Sequence, residues 1–292
     1  MLRATFPAMG TTVELLLDAP EGRTTRAAMG AARREVGRLE RLLSRFRPDS
    51  EVSVLNRDRS LRAGPDLLRV LDAALALRRR TGGLFDPTVG RAVRDWGYDR
   101  PFHELPVPDR RPVPSGGPAG GTVAIDRATG WVGLGPGVRI DLGAIAKGDA
   151  ADRACALLGA AGPCLVNAGG DLRVSGPAAD GRPWPVALAG APGAPVLRVA
   201  AGGLATSGVD RRRWTRAGRP AHHVIAPSSG APAPTDLVRA TVGAPSCAEA
   251  DALATALLVA GAAAARRLAD AWGVPAALAC ADGSLTCAGG LR

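Results

Sequence analysis

The chain has 292 residues, with 37 Lys+Arg against 27 Asp+Glu, a formal charge of +10 and aromatics at only 3%. That length is enough to bury a large core, and the arginines are scattered, with few stacking aromatics and no RNP, zinc-finger or basic-zipper pattern, which argues against a nucleic-acid binder. No run reaches eighteen apolar residues, so no membrane span is expected. The five cysteines have no CxxC spacing, which fits reduced, buried thiols rather than zinc ligands or a disulfide framework. The N-terminus shows no apolar leader and no early cysteine, so a cytoplasmic protein is expected.

Residues 11–17 read as a strand entered through Met9-Gly10. Residues 24–43 and 66–79 carry the i, i+3, i+4 apolar pattern of amphipathic helices, the second ending at Gly82-Gly83. Residues 101–121 are dense in Pro and Gly and mark a candidate seam between lobes. Strands are expected at 122–125, 131–134, 163–166, 172–174, 185–188 and 196–200, and helices at 147–158, 249–259 and 264–272. A hairpin of 276–281 with 285–287 turns at Asp282-Gly283. Strands outnumber helices and cluster in runs, so the expected class is α+β, with antiparallel or mixed sheets and flanking helices, as one domain or two intimately packed lobes.

Every basic side chain but one is arginine; the exception is Lys147, in Ile140-Asp141-Leu142-Gly143-Ala144-Ile145-Ala146-Lys147-Gly148. A lysine is a compact point charge on a slim stem, and a helix start beside it suits an anionic group. The Walker A spacing is absent, and a strand-to-helix turn with a solvated lysine is the plain structural alternative. Asp251 and Thr255 are four apart, hence on one face of a helix. Their oxygens suit Mg²⁺; equally, Asp251 complements the helix start while Thr255 bonds back to a turn carbonyl. His222 and His223 are adjacent, so in an extended segment they face opposite sides and one can face a pocket.

Several blocks in order resemble the ApbE family, the FAD:protein FMN transferases. They are Ala8-Met9-Gly10-Thr11, the run Leu43-Ser44-Arg45-Phe46 to Asn56, Thr81-Gly82-Gly83-Leu84-Phe85-Asp86-Pro87, Trp96-Gly97-Tyr98 and Asp141 to Gly148. Asn167-Ala168-Gly169-Gly170-Asp171-Leu172, Ala205-Thr206-Ser207-Gly208, His222-His223-Val224-Ile225 and Ala250-Asp251 to Thr255 follow. The resemblance implies an α+β fold and a Mg²⁺-dependent transfer of FMN from FAD to a Ser or Thr hydroxyl of an acceptor protein, with release of AMP. It implies metal ligands at the Ala144 carbonyl, Asp251 and Thr255, with Ala248 close by. It places the flavin nucleotide against Met9, Phe46, Leu84, Phe85, Asp86, Asp141, Lys147 and His222, and makes His223 the catalytic histidine. Ala226 and Phe46 depart from the family pattern, which commonly has Asp and Tyr there. The same pocket is compatible with an FAD pyrophosphatase yielding FMN and AMP, or with a flavin-binding protein without turnover.

Overall fold

Met9 and Gly10 both take positive φ, 55° and 68°, as both central residues of a type I′ hairpin turn must. They join β1 (Leu2–Ala8) to β2 (Thr11–Leu17) with Ala8 opposite Thr11. A computed structural model of the chain describes residues 1–106, 109–188, 193 and 195–291. Then come α1 (Arg23–Leu43), α2 (Glu51–Asp58), β3 (Ser60–Arg62), α3 (Pro65–Arg80), α4 (Gly90–Asp95), β4 (Val123–Asp126) and β5 (Trp131–Leu134). The second half holds α5 (Ala146–Gly159), β6 (Cys164–Ala168), β7 (Leu172–Ser175), β8 (Trp184–Ala187), β9 (Val196–Val199), β10 (Gly202–Gly208), β11 (Arg213–Arg216) and β12 (Arg219–His222). It closes with β13 (Ile225–Ala226), β14 (Ala231–Pro232), β15 (Leu237–Ala244), α6 (Cys247–Ala260), α7 (Ala262–Trp272), β16 (Ala276–Cys280) and β17 (Leu285–Ala288).

The main sheet runs β1-β2-β6-β7-β10-β15-β16-β17, and every pairing in it is antiparallel. Alternation along the strands splits its two faces. Val13, Leu15 and Leu17 join Cys164 and Val166 against Ala32 and Val36 of α1 and Ala151, Ala154 and Leu158 of α5. Leu16 and Leu165 point the other way, towards Trp184 and Val186 of the β8–β9 hairpin. Helix α6 is buried at Cys247, Ala250, Asp251, Ala252, Leu253, Ala254, Ala256, Leu257 and Leu258; a helix apolar all round must lie inside. Among the described residues no helix is long and apolar enough to cross a membrane.

The α+β expectation holds. Strands β1, β3, β10, β11, β13, β14 and β15 and helices α2 and α4 were not among the expected elements. Helix α2 is short and depends on Ser50, whose side chain accepts the Ser53 N–H, as an N-cap does. The Pro/Gly-rich stretch, of which residues 107–108 lie outside the described residues, is strapped down: Gly117 and Ala119 N–H donate to the Ser229 and Pro227 carbonyls, and buried Asp109 pairs with Arg216 at 2.8 Å.

Candidate functional site

A cleft of about 1180 Å³ opens where α5, α6 and the β6–β7 turn converge, and Lys147, Asp171, Asp251 and Thr255 line it. Lys147 stands in the first turn of α5. Its Nζ donates to the Gly143 carbonyl at 2.9 Å and to Asp251 Oδ2 at 3.2 Å, and lies 2.8 Å from Asp171 Oδ2. Asp171 is delivered by Gly169-Gly170, whose φ values of 71° and 108° suit glycine; the Gly170 N–H is held by Asn167 Oδ1 at 2.8 Å.

The electrostatics are uneven. Burial pulls the Lys147 ammonium down, but Asp171 and Asp251 outweigh it and hold the group charged. Burial, then the neighbouring Asp171 carboxylate, push Asp251 up to about 7. Two carboxylates share one ammonium, which is the ionic partner of the buried Asp171 Oδ2. Such a cluster has room for further positive charge. Lys147, expected to contact phosphate, is engaged here with two carboxylates and a carbonyl.

The neighbouring donors are hard oxygens. Thr255 Oγ1 lies 2.8 Å from Ser207 Oγ, and Ala144 lines the same cleft. Among the described residues no three His, Cys, Asp or Glu form a metal cage. A site of one or two carboxylates with hydroxyl, carbonyl and substrate oxygens is the kind Mg²⁺ accepts, and soft metals do not favour it. The donor set therefore fits Mg²⁺. Ala248 does not join it: this residue is absent from the cleft lining, its N–H donates to Asp152 at 3.0 Å, and a carbonyl so early in a helix points along the helix axis.

The opposite wall is aromatic and cationic. The Arg45 guanidinium lies 4.1 Å from the Phe46 ring centroid and 4.5 Å from that of Tyr98, donates to the Tyr98 carbonyl at 2.6 Å and pairs with Asp141 at 3.0 Å. Asp141 also accepts the Gly143 N–H at 2.8 Å, so it shapes the loop ahead of Lys147. Met9, Phe46, Leu84, Phe85 and Asp86 all line the cleft. Asp86 is committed within the fold: Oδ1 accepts the Thr88 N–H and hydroxyl at 2.8 and 2.6 Å, and Oδ2 pairs with Arg78 at 2.9 Å.

The two histidines separate as alternation requires. His223 lines the cleft, edge-on to Tyr98 with centroids 6.2 Å apart, and its Nδ1 is buried without a partner. Burial, then Arg212, His222 and Lys147, lower its pKa to about 3, so the ring is neutral at pH 7. His222 is absent from the cleft lining; its ring lies against the Ala233 carbonyl, 3.2 Å from Nε2. It faces away from the expected nucleotide site because it ends β12 one residue before His223, on the other side of the chain. Sequence reasoning gave no role to Asp171, Arg45, Tyr98 or Ser207. All four sat in blocks that carry the family resemblance, which was the available signal.

A family model described as the ApbE family matches residues 9–278. A Salmonella typhimurium protein named FAD:protein FMN transferase is 32% identical over 247 residues, covering 75% of this chain and 67% of that protein. One of the same name from Treponema pallidum is 34% identical, covering 76% and 68%. A third, from Rhodobacter capsulatus, is 33% identical and covers 95% of this chain, which spans 55% of that protein. The crystal structure of the ApbE protein from Thermotoga maritima superposes with a TM-score of 0.85 at 28% identity, over 98% of this chain and 96% of that one. Apo flavinyl transferase ApbE from Pseudomonas stutzeri gives 0.81 at 26% identity, over 98% and 94%.

Proposed function

The chain belongs to the ApbE family, and on that premise we propose that it is a Mg²⁺-dependent FAD:protein FMN transferase acting on a Ser or Thr hydroxyl of an acceptor protein. The observation that carries this reading is the meeting of Lys147, Asp171 and Asp251 on the floor of a cleft large enough for a dinucleotide. The acceptor oxygen forms a bond to the FMN phosphorus, the P–O bond to AMP breaks, and the hydroxyl proton leaves.

Asp251, Thr255 and the Ala144 carbonyl would hold Mg²⁺, with Asp171 beside them. When bound, Mg²⁺ supplies charge neutralisation at the phosphate oxygens. The Lys147 ammonium keeps the two carboxylates together and so preserves the donor cluster between turnovers. Arg45, fixed between two rings and Asp141, offers a rigid cationic surface to the nucleotide. His223, neutral and with an unpartnered Nδ1, can accept the hydroxyl proton, more readily as anionic diphosphate enters and raises its basicity.

Chromatography of FAD, FMN and AMP tests this reading in reactions with and without a Ser/Thr acceptor domain. Transfer gives AMP without an equal yield of free FMN, and only when acceptor and Mg²⁺ are both present. AMP and free FMN in equal amounts without acceptor would replace the transferase with a pyrophosphatase.

A further inference from the structure

Asp152 lies outside the cleft, one turn beyond Gly148 on the same face of α5. Its Oδ1 accepts the Cys247 N–H at 2.9 Å and its Oδ2 accepts the Ala248 N–H at 3.0 Å. These belong to the first turn of α6, whose N–H groups have no partner within the helix. The Glu249 N–H goes to the Ser246 hydroxyl at 3.2 Å. A carboxylate from α5 thus closes most of the start of α6, at the end where negative charge is favoured.

The two helices also touch backbone to backbone at this corner. A Cβ on Gly148 would lie 2.5 Å from the Cys247 carbonyl oxygen and 2.7 Å from Ala248 Cα, so no larger residue fits without parting the helices. Arg173 braces the same corner: its Nε is 3.6 Å from Asp152 Oδ1, and its guanidinium donates to the Pro245 carbonyl. From there Asp251 follows Cys247 by one helical turn and Thr255 by two, while Lys147 immediately precedes Gly148. The ammonium and the carboxylate of the site stand on different helices, and this corner holds the two in register.

We propose that Asp152 is a positioning residue for the transfer reaction: by docking the first turn of α6 onto α5 it sets where Asp251 and Thr255 stand relative to Lys147 and Asp171. The proposal rests on the reading that Asp251 and Thr255 hold the divalent cation. It acts through backbone N–H groups, so Asp152 itself touches neither cation nor nucleotide.

The test is titration of Mn²⁺ into the full chain, with FAD and without acceptor, free Mn²⁺ being read by electron paramagnetic resonance. Asp152→Ala and Gly148→Ala should bind Mn²⁺ about 10- to 100-fold more weakly than the parent. Asp152→Asn keeps one acceptor oxygen and should fall between. FAD affinity in metal-free buffer should not change. A lowered melting temperature with unchanged Mn²⁺ affinity would make Asp152 a structural cap only and overturn the proposal, leaving the cation reading intact. A parent chain that binds no Mn²⁺ would overturn the cation reading and this proposal with it. Should Asp152→Ala fail to fold, the isosteric Asp152→Asn carries the same comparison.

Discussion

Lys147 and Asp171 meet at 2.8 Å, one from the first turn of α5 and the other from a glycine hairpin of the main sheet. The ion pair ties helix layer to sheet at the floor of the cleft, and Asp251 draws the same ammonium towards α6. Replacing Lys147 with Met keeps the length and removes the charge, leaving two carboxylates buried together. The expected loss is roughly 3–5 kcal/mol at pH 7.5, read from urea unfolding. It should shrink towards pH 5, where protonation of one carboxylate ends their repulsion. A variant as stable as the parent at pH 7.5 would show that the pair is not electrostatically coupled to the fold.

Asp251→Asn should behave in the opposite sense. It removes a carboxylate that burial and Asp171 already hold up at about 7, so the fold should tolerate it. Transfer should fall at least about 100-fold, because a charged hard ligand is lost from the donor set. Melting temperature and steady-state rates, taken on one preparation, check both halves; a rate near that of the parent would remove Asp251 from the cation site.

The histidines divide the kinetics. His223→Ala should lower kcat by roughly 10²- to 10⁴-fold with little change in KM for FAD, the loss being that of a proton acceptor. His222→Ala should leave both constants near the parent values, since that ring packs against the Ala233 carbonyl outside the cleft. A raised KM for FAD in His222→Ala would return that residue to the nucleotide site.

His223 also predicts a pH dependence of stability. Its folded pKa is lowered to about 3 by burial and nearby positive charge. Between about 6.5 and 3 the unfolded chain binds a proton that the native chain refuses, so this group's contribution falls as pH falls, by up to about 1.4 kcal/mol per pH unit. Asp251 has the opposite sign, because its raised pKa lets the native chain bind the extra proton between 3.8 and about 7. The difference between parent and His223→Gln isolates the histidine. Parallel stability curves from pH 7 to 5 would contradict its burial as a neutral ring.

Local signals made much of this legible. Apolar periodicity placed α1 and α3, the Gly-bounded turn placed the start of α5, and residue alternation put His222 and His223 on opposite sides. Alternation could not say which side faced the cleft, because that depends on how the strand β12 is paired with β11. The partners of Lys147 were hidden for a similar reason. Asp171 and Asp251 belong to other elements, and only the sheet order and the Gly148 crossing bring them to one ammonium. Arg45 was one arginine among many; its position between Phe46 and Tyr98 is a product of tertiary packing. Strand β1 carries Pro7, which suits a sheet edge and weakens a strand's signature.

Intact-mass spectrometry of an acceptor domain bearing a single reactive Ser or Thr, incubated with the chain, FAD and Mg²⁺, tests the central claim most directly. The expected result is one added FMN moiety per acceptor, lost when the acceptor hydroxyl is removed by Ala, when Mg²⁺ is chelated, or when Asp251→Asn replaces the parent chain. An acceptor of unchanged mass, with FAD intact or split only into free FMN and AMP, would contradict it.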